Sequence, residues 1–229
     1  MKPALVVCAH GTDDPDGRAT VVAIAEAAAG RLPDVTVEVA YVDVQEPKLD
    51  AVVDRLVAAG EHVVVVPILL TLGFHTEVDV QEAIADHPGR AVSTGPLGPD
   101  PRLADALVDR LREARVPEDT AVVVGVAGSS RPEAAEVGRG VARSVQSRWS
   151  GPVTVGFLAV AEPSVPDAVA AARSTGPVAL ASYLIGRGFF QRKLAKAGGD
   201  FLAEPLGDHP GLVDVVVDRY RSGCRHLTV

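Results

Sequence analysis

Val6-Val7-Cys8-Ala9-His10-Gly11-Thr12-Asp13-Asp14-Pro15, close to the start of the chain, recurs in altered form as Val123-Val124-Gly125-Val126-Ala127-Gly128-Ser129-Ser130-Arg131-Pro132. In both stretches an apolar run suited to a buried strand ends at a glycine and a hydroxyl residue, the pattern of a tight turn into a capped helix. The register extends outward from there. Ala40-Tyr41-Val42-Asp43-Val44-Gln45-Glu46-Pro47 aligns with Gly156-Phe157-Leu158-Ala159-Val160-Ala161-Glu162-Pro163, and Leu69-Leu70-Thr71-Leu72-Gly73-Phe74-His75 with Leu184-Ile185-Gly186-Arg187-Gly188-Phe189-Phe190. Pro96-Leu97-Gly98-Pro99-Asp100-Pro101 matches Pro205-Leu206-Gly207-Asp208-His209-Pro210. One unit is therefore present twice, but His10 has become Ala127 and His75 has become Phe190.

The repeat divides the 229 residues into two α/β domains, 1–116 and 117–229, each large enough to bury a core. Short apolar runs near 4–9, 35–41, 62–70 and 90–94 alternate with helical patterns near 16–31, 47–59, 76–86 and 100–114. The second half repeats the order, with strands near 121–126, 152–160, 177–185 and 201–203. Such alternation predicts a four-stranded parallel sheet in each domain, flanked by helices. A composition 47% hydrophobic but only 4% aromatic, dominated by Ala and Val, fits strands covered on both faces.

No stretch reads as a signal peptide or approaches the ~20 apolar residues of a membrane span, so a soluble, cytoplasmic chain is expected. Cys8 and Cys224 form neither a disulfide framework nor a CxxC site. The formal charge of −8 is uneven: residues 1–116 carry 10 Lys and Arg against 19 Asp and Glu, and residues 117–229 carry 12 against 11. The first half is acidic and the second near neutral, with no basic, aromatic-studded stripe to bind nucleic acid.

In parallel sheets ligands gather beyond the carboxyl ends of the strands. His10 follows the first strand, Glu46 the second and His75 the third, so two imidazoles and a carboxylate share one rim. Two imidazoles without thiolate leave coordination positions open and suit an exchangeable divalent ion such as Fe, Co or Ni, whereas a structural zinc site is normally closed. Glu46 is the weakest member, because Glu162 keeps the same Glu-Pro context in the half that lacks the His10 and His75 counterparts, and helix capping accounts for both. Gly11-Thr12 and Gly128-Ser129-Ser130 lack the GxGxxG or GxxxxGK[ST] spacing of phosphate loops. A phosphoryl-transfer role for His10 is disfavoured by the absence of an Arg within its motif.

His10-Gly11-Thr12, Glu46-Pro47, and Pro67-Ile68-Leu69-Leu70 running into Gly73-Phe74-His75 with Asp79 beyond resemble the sirohydrochlorin chelatases of the CbiX-like type, within the class II chelatases. The resemblance covers essentially the whole chain, whose two halves match the long, internally duplicated form. It implies two chelatase-like domains and ATP-independent insertion of Fe2+ or Co2+, with Ni2+ also within the family's range, into sirohydrochlorin on the route to siroheme or cobalamin. It implies no permanently bound cofactor and a monomer whose partners are the tetrapyrrole and the metal. By position, His10 and His75 become the metal-binding and proton-accepting pair, assisted by Glu46, while Asp79, one turn beyond His75, reads more readily as a solvated helix carboxylate than as an orienting residue. The second half offers Arg131, Arg187, Arg192 and Lys193 where the first has other residues, and these are expected to hold the carboxylates of the tetrapyrrole. The rival reading is a non-enzymatic protein that binds or delivers a divalent metal with the same histidines.

Overall fold

The computed structural model describes residues 2–71, 74–129 and 132–228, with the side chains of residues 74–77, 132 and 175 outside the description. The first sheet has the order β2-β1-β3-β4, built from β1 (Ala4–Ala9), β2 (Val37–Tyr41), β3 (Val63–Pro67) and β4 (Ala91–Ser93). The second has the order β6-β5-β7-β8, from β5 (Ala121–Val126), β6 (Val153–Phe157), β7 (Val178–Tyr183) and β8 (Phe201–Leu202). All pairings are parallel. The two α/β sheets agree with the architecture read from the sequence.

Every residue of β1, β3, β5 and β7 is buried, because these strands lie inside their sheets with helices on both faces. That burial explains why they read as unbroken Val and Ala runs rather than alternating ones. Helix starts follow from local chemistry. The Asp14 carboxylate accepts from the N–H groups of Asp16 and Gly17 ahead of α1 (Pro15–Arg31), and Asp100 accepts from Arg102 ahead of α4 (Pro101–Glu113). Ser164 accepts from Asp167 at the start of α6 (Val165–Ala172). The remaining helices are α2 (Leu49–Ala58), α3 (Phe74–Ile84), α5 (Pro132–Gln146), α7 (Phe189–Ala195) and α8 (Pro210–Cys224).

The chain forms two compact units, residues 1–97 with 213–229, and residues 98–212. These bounds differ from the 116/117 division of the repeat, because the last helix of each repeat is built into the other repeat's unit. Helix α4 packs on α5 and β7 and buries Leu103, Leu107 and Leu111 completely. Helix α8 completes the first unit: Tyr220 Oη donates to Pro3 O at 2.7 Å, Arg219 Nε donates to Pro96 O at 3.0 Å, and Asp214 pairs with Arg31 of α1. At Gly223 the approach to the sheet is so close that a Cβ would sit 2.4 Å from Val64 Cγ1. Among the described residues no helix is long and apolar enough to cross a membrane.

Candidate metal-site rim and its duplicate

His10 is the first residue beyond β1 and is exposed. The loop after β2 is laced against it: Val42 N donates to Ala9 O and Asp43 N to His10 O, both at 3.0 Å. Gln45 Oε1 accepts from Thr12 N at 2.8 Å. Asp43 and His10 therefore leave neighbouring strand ends side by side, and both face solvent. The lacing depends on Gly11, which has φ +102° and would place a Cβ 2.7 Å from Asp43 O. Val44 follows at φ +48°, a left-handed conformation that a β-branched residue adopts only under constraint.

The second unit repeats this backbone. Gly128 has φ +86° with the would-be Cβ 2.0 Å from Ala159 O, and Val160 has φ +62°. Leu158 N donates to Val126 O at 2.8 Å, as Val42 does to Ala9. The Glu-Pro peptides Glu46–Pro47 and Glu162–Pro163 are both cis.

Against this shared backbone, Glu46 and Asp43 differ. Glu46 Oε2 accepts from Lys48 N at 3.0 Å, and Glu162 Oε2 accepts from Ser164 N at 2.9 Å. The same local bond is made in the half that lacks the histidine pair, so it belongs to the turn. Asp43, by contrast, becomes Ala159 in that half, changing together with His10 and His75. Sequence reasoning passed over Asp43, although aligning the two copies residue by residue carries the signal.

His75 falls in the first turn of α3, which follows β3 on the other side of β1, but its side chain lies outside the described residues, as does Arg131. Among the described residues no three His, Cys, Asp or Glu side chains form a metal-holding group. Asp79 is exposed and lines a recess between α2 and α3 of about 530 Å³, shared with Asp50, Asp54, Glu82 and Asp86.

Of the cations predicted to hold carboxylates, Arg187 and Lys193 stand on the rim of the second unit with protein partners of their own. Arg187 makes a two-pronged pair with Glu204, Nε–Oε2 at 3.0 Å and Nη2–Oε1 at 2.8 Å, both side chains more than half exposed. Such an exposed pair contributes little to stability, and an incoming carboxylate can exchange with it. Lys193 donates to Leu158 O, which ties α7 to the loop after β6. Arg192 is exposed on α7.

The CbiX family model matches residues 4–114 and again 121–223. A sirohydrochlorin ferrochelatase of Priestia megaterium is 27% identical over 241 residues, which cover 97% of this chain and 90% of that protein. A sirohydrochlorin cobaltochelatase of Methanopyrus kandleri is 29% identical over 137 residues, 96% of its own length but 48% of this chain, as a single copy of the repeat should be. Among solved structures, SirB from Bacillus subtilis with Fe3+ superposes with a TM-score of 0.82 at 23% identity, over 98% of this chain and 96% of that one. With the family's pattern present in each half in turn, the chain belongs to the CbiX family, in a form that carries the unit twice.

Proposed function

We propose that the protein is a sirohydrochlorin chelatase that inserts Fe2+ or Co2+ into the macrocycle without ATP. The observation that carries this reading is the coordinated change between two copies of one backbone: His10, Asp43 and His75 become Ala127, Ala159 and Phe190, while the Glu-Pro turn is kept. A set of side chains that changes together at three strand ends behaves as one chemical device. The names of the related ferrochelatase and cobaltochelatase supply the substrate class.

Entry of M²⁺ into the macrocycle releases two pyrrole protons, so the site must hold the metal weakly and offer bases beside it. His10 and His75 are assigned to the metal and the protons, and Asp43 to the carboxylate that assists them. Glu46, named for that role from the sequence, is left as the cap of its turn. Arg187, Arg192 and Lys193, with Arg131, are assigned to the carboxylates of the tetrapyrrole.

The test is absorbance of sirohydrochlorin supplied with Fe2+ or Co2+ for the wild type, His10→Ala, Asp43→Asn and Glu46→Gln. Insertion is expected to collapse in the first variant, to fall about 10²-fold or more in the second, and to stay within a few-fold in the third. Metal binding without insertion by the wild type would establish the delivery reading instead. Loss in Glu46→Gln equal to that in Asp43→Asn, with both proteins folded, would return the role to Glu46.

A further inference from the structure

Large apolar side chains that gather in water on one part of a surface mark places built for contact. In the second unit, Val160 is 75% exposed and Phe189 67%, the two highest values for large hydrophobic residues among those described. Both stand at the carboxyl ends of strands. Val160 lies in the loop after β6 and Phe189 begins α7 after β7, and these two strands flank β5, beyond whose end comes Ala127. A small residue thus separates two large apolar ones along one rim.

Neither exposure comes from a loose segment. Helix α7 is pinned from beneath by Leu194, which is fully buried and so close to Gly125 that a Cβ there would meet Leu194 Cδ1 at 2.5 Å. The buried Gln191 amide accepts from Ser182 Oγ at 2.6 Å and donates to Ala203 O at 3.3 Å. Lys193 then binds the helix to Leu158 O, two residues before Val160. Phe189 is backed by Phe190, ring centroids 5.3 Å apart at 73°, an edge-to-face arrangement that leaves Phe189 accessible. Val160 is held at φ +62°, a conformation costly for a β-branched residue that Gly would adopt freely and one that its counterpart Val44 shares at +48°; what sets Val160 apart is its exposure, 75% against 44%.

We infer that Val160 and Phe189, on either side of Ala127, form the seat for the apolar face of the tetrapyrrole. The inference rests on the chelatase reading. A tetrapyrrole is a flat conjugated ring fringed by carboxylates. The rim matches both parts, with apolar side chains beside the strand end and Arg187 and Arg192 on the same loop and helix. Between them Ala127 presents a methyl where the first half has the imidazole of His10.

The test uses the full chain and metal-free sirohydrochlorin, followed by fluorescence quenching, together with cobalt affinity measured without the macrocycle. Phe189→Ala is expected to raise Kd for the tetrapyrrole about tenfold or more, with Phe189→Trp close to wild type. Val160→Gly removes the strained side chain, so Kd rises while the melting temperature does not fall. Cobalt affinity stays unchanged in all three. Unchanged tetrapyrrole affinity in Phe189→Ala and Val160→Gly, with insertion intact in the wild type, overturns the seat and leaves the chelatase reading standing. Dissociation of an oligomer by Phe189→Ala with tetrapyrrole affinity unchanged also overturns it, since the face then serves a second copy of the chain. A wild type that neither binds nor metallates sirohydrochlorin overturns the seat and the chelatase reading together.

Discussion

Gly11→Ala and Gly128→Ala form a matched pair, because the same backbone contact is made in both units while only one has the histidines. At Gly11 the new Cβ would lie 2.7 Å from Asp43 O, against about 3.4 Å for an ordinary contact, so the loop after β2 must retreat by about 0.7 Å. Holding Ala at φ +102° costs about 1–2 kcal/mol, and the crowding adds on the order of 1 kcal/mol. A total of about 2–3 kcal/mol corresponds to a fall in Tm of roughly 4–12 °C for a chain of this size. The retreat carries Asp43 away from His10, and misplacement by about 1 Å costs reactions on the order of 10²-fold. Metal insertion should therefore fall about ten- to hundredfold even in the protein that remains folded. At Gly128 the corresponding distance is 2.0 Å to Ala159 O, so the stability loss should be at least as large. Cobalt affinity should nevertheless be that of the wild type. Differential scanning calorimetry, cobalt titration and the insertion assay on both variants decide the matter. Equal loss of cobalt affinity in the two, or a Gly11→Ala protein with wild-type insertion, would refute the link between this contact and the site.

A fragment of residues 98–212 should fold on its own and show a cooperative melt, whereas residues 1–116 should not, because Leu103, Leu107 and Leu111 of α4 are then exposed and the first sheet lacks α8; circular dichroism melts that rank the two fragments equally would contradict the exchange of helices. Burial pushes the Cys8 thiol up from 9.0 to about 12. The folded state holds the neutral form while the unfolded chain ionises, so the contribution of this thiol to stability is constant below about pH 9 and is lost between pH 9 and 12. Cys8→Ala should flatten that decline in urea unfolding followed against pH, and an unaltered slope would show that other groups govern it.

The parallel sheets were legible because the strands that lie inside them must be apolar on both faces, and runs such as Val63–Pro67 have no other economical reading. The exchange of helices was not legible. The leucines of α4 announce a buried stripe, but periodicity records that a face is covered and not which sheet covers it. The site was legible in part for a similar reason. His10 and His75 stand out against apolar neighbours, while Asp43 is one carboxylate among many in an acidic half and gains meaning only beside Ala159. Glu46 is marked in the sequence by its place after the second strand, and the Glu-Pro turn that it shares with Glu162 explains its bond to Lys48 N. The pairing of Arg187 with Glu204 joins the loop after β7 to the segment after β8, a meeting that sheet geometry creates and local sequence does not encode.

The crossed assignment of α4 and α8 also fixes an order of completion during synthesis. Residues 98–212 supply every element of the second unit from one uninterrupted stretch, so that unit can close as soon as the stretch has emerged from the ribosome. The unit bearing His10 emerges first yet must wait for residues 213–229, with the surface destined for α8 open until then. The half assigned to handle metal is thus the first to be made and the last to be finished, and it becomes whole only after the second unit can already have folded.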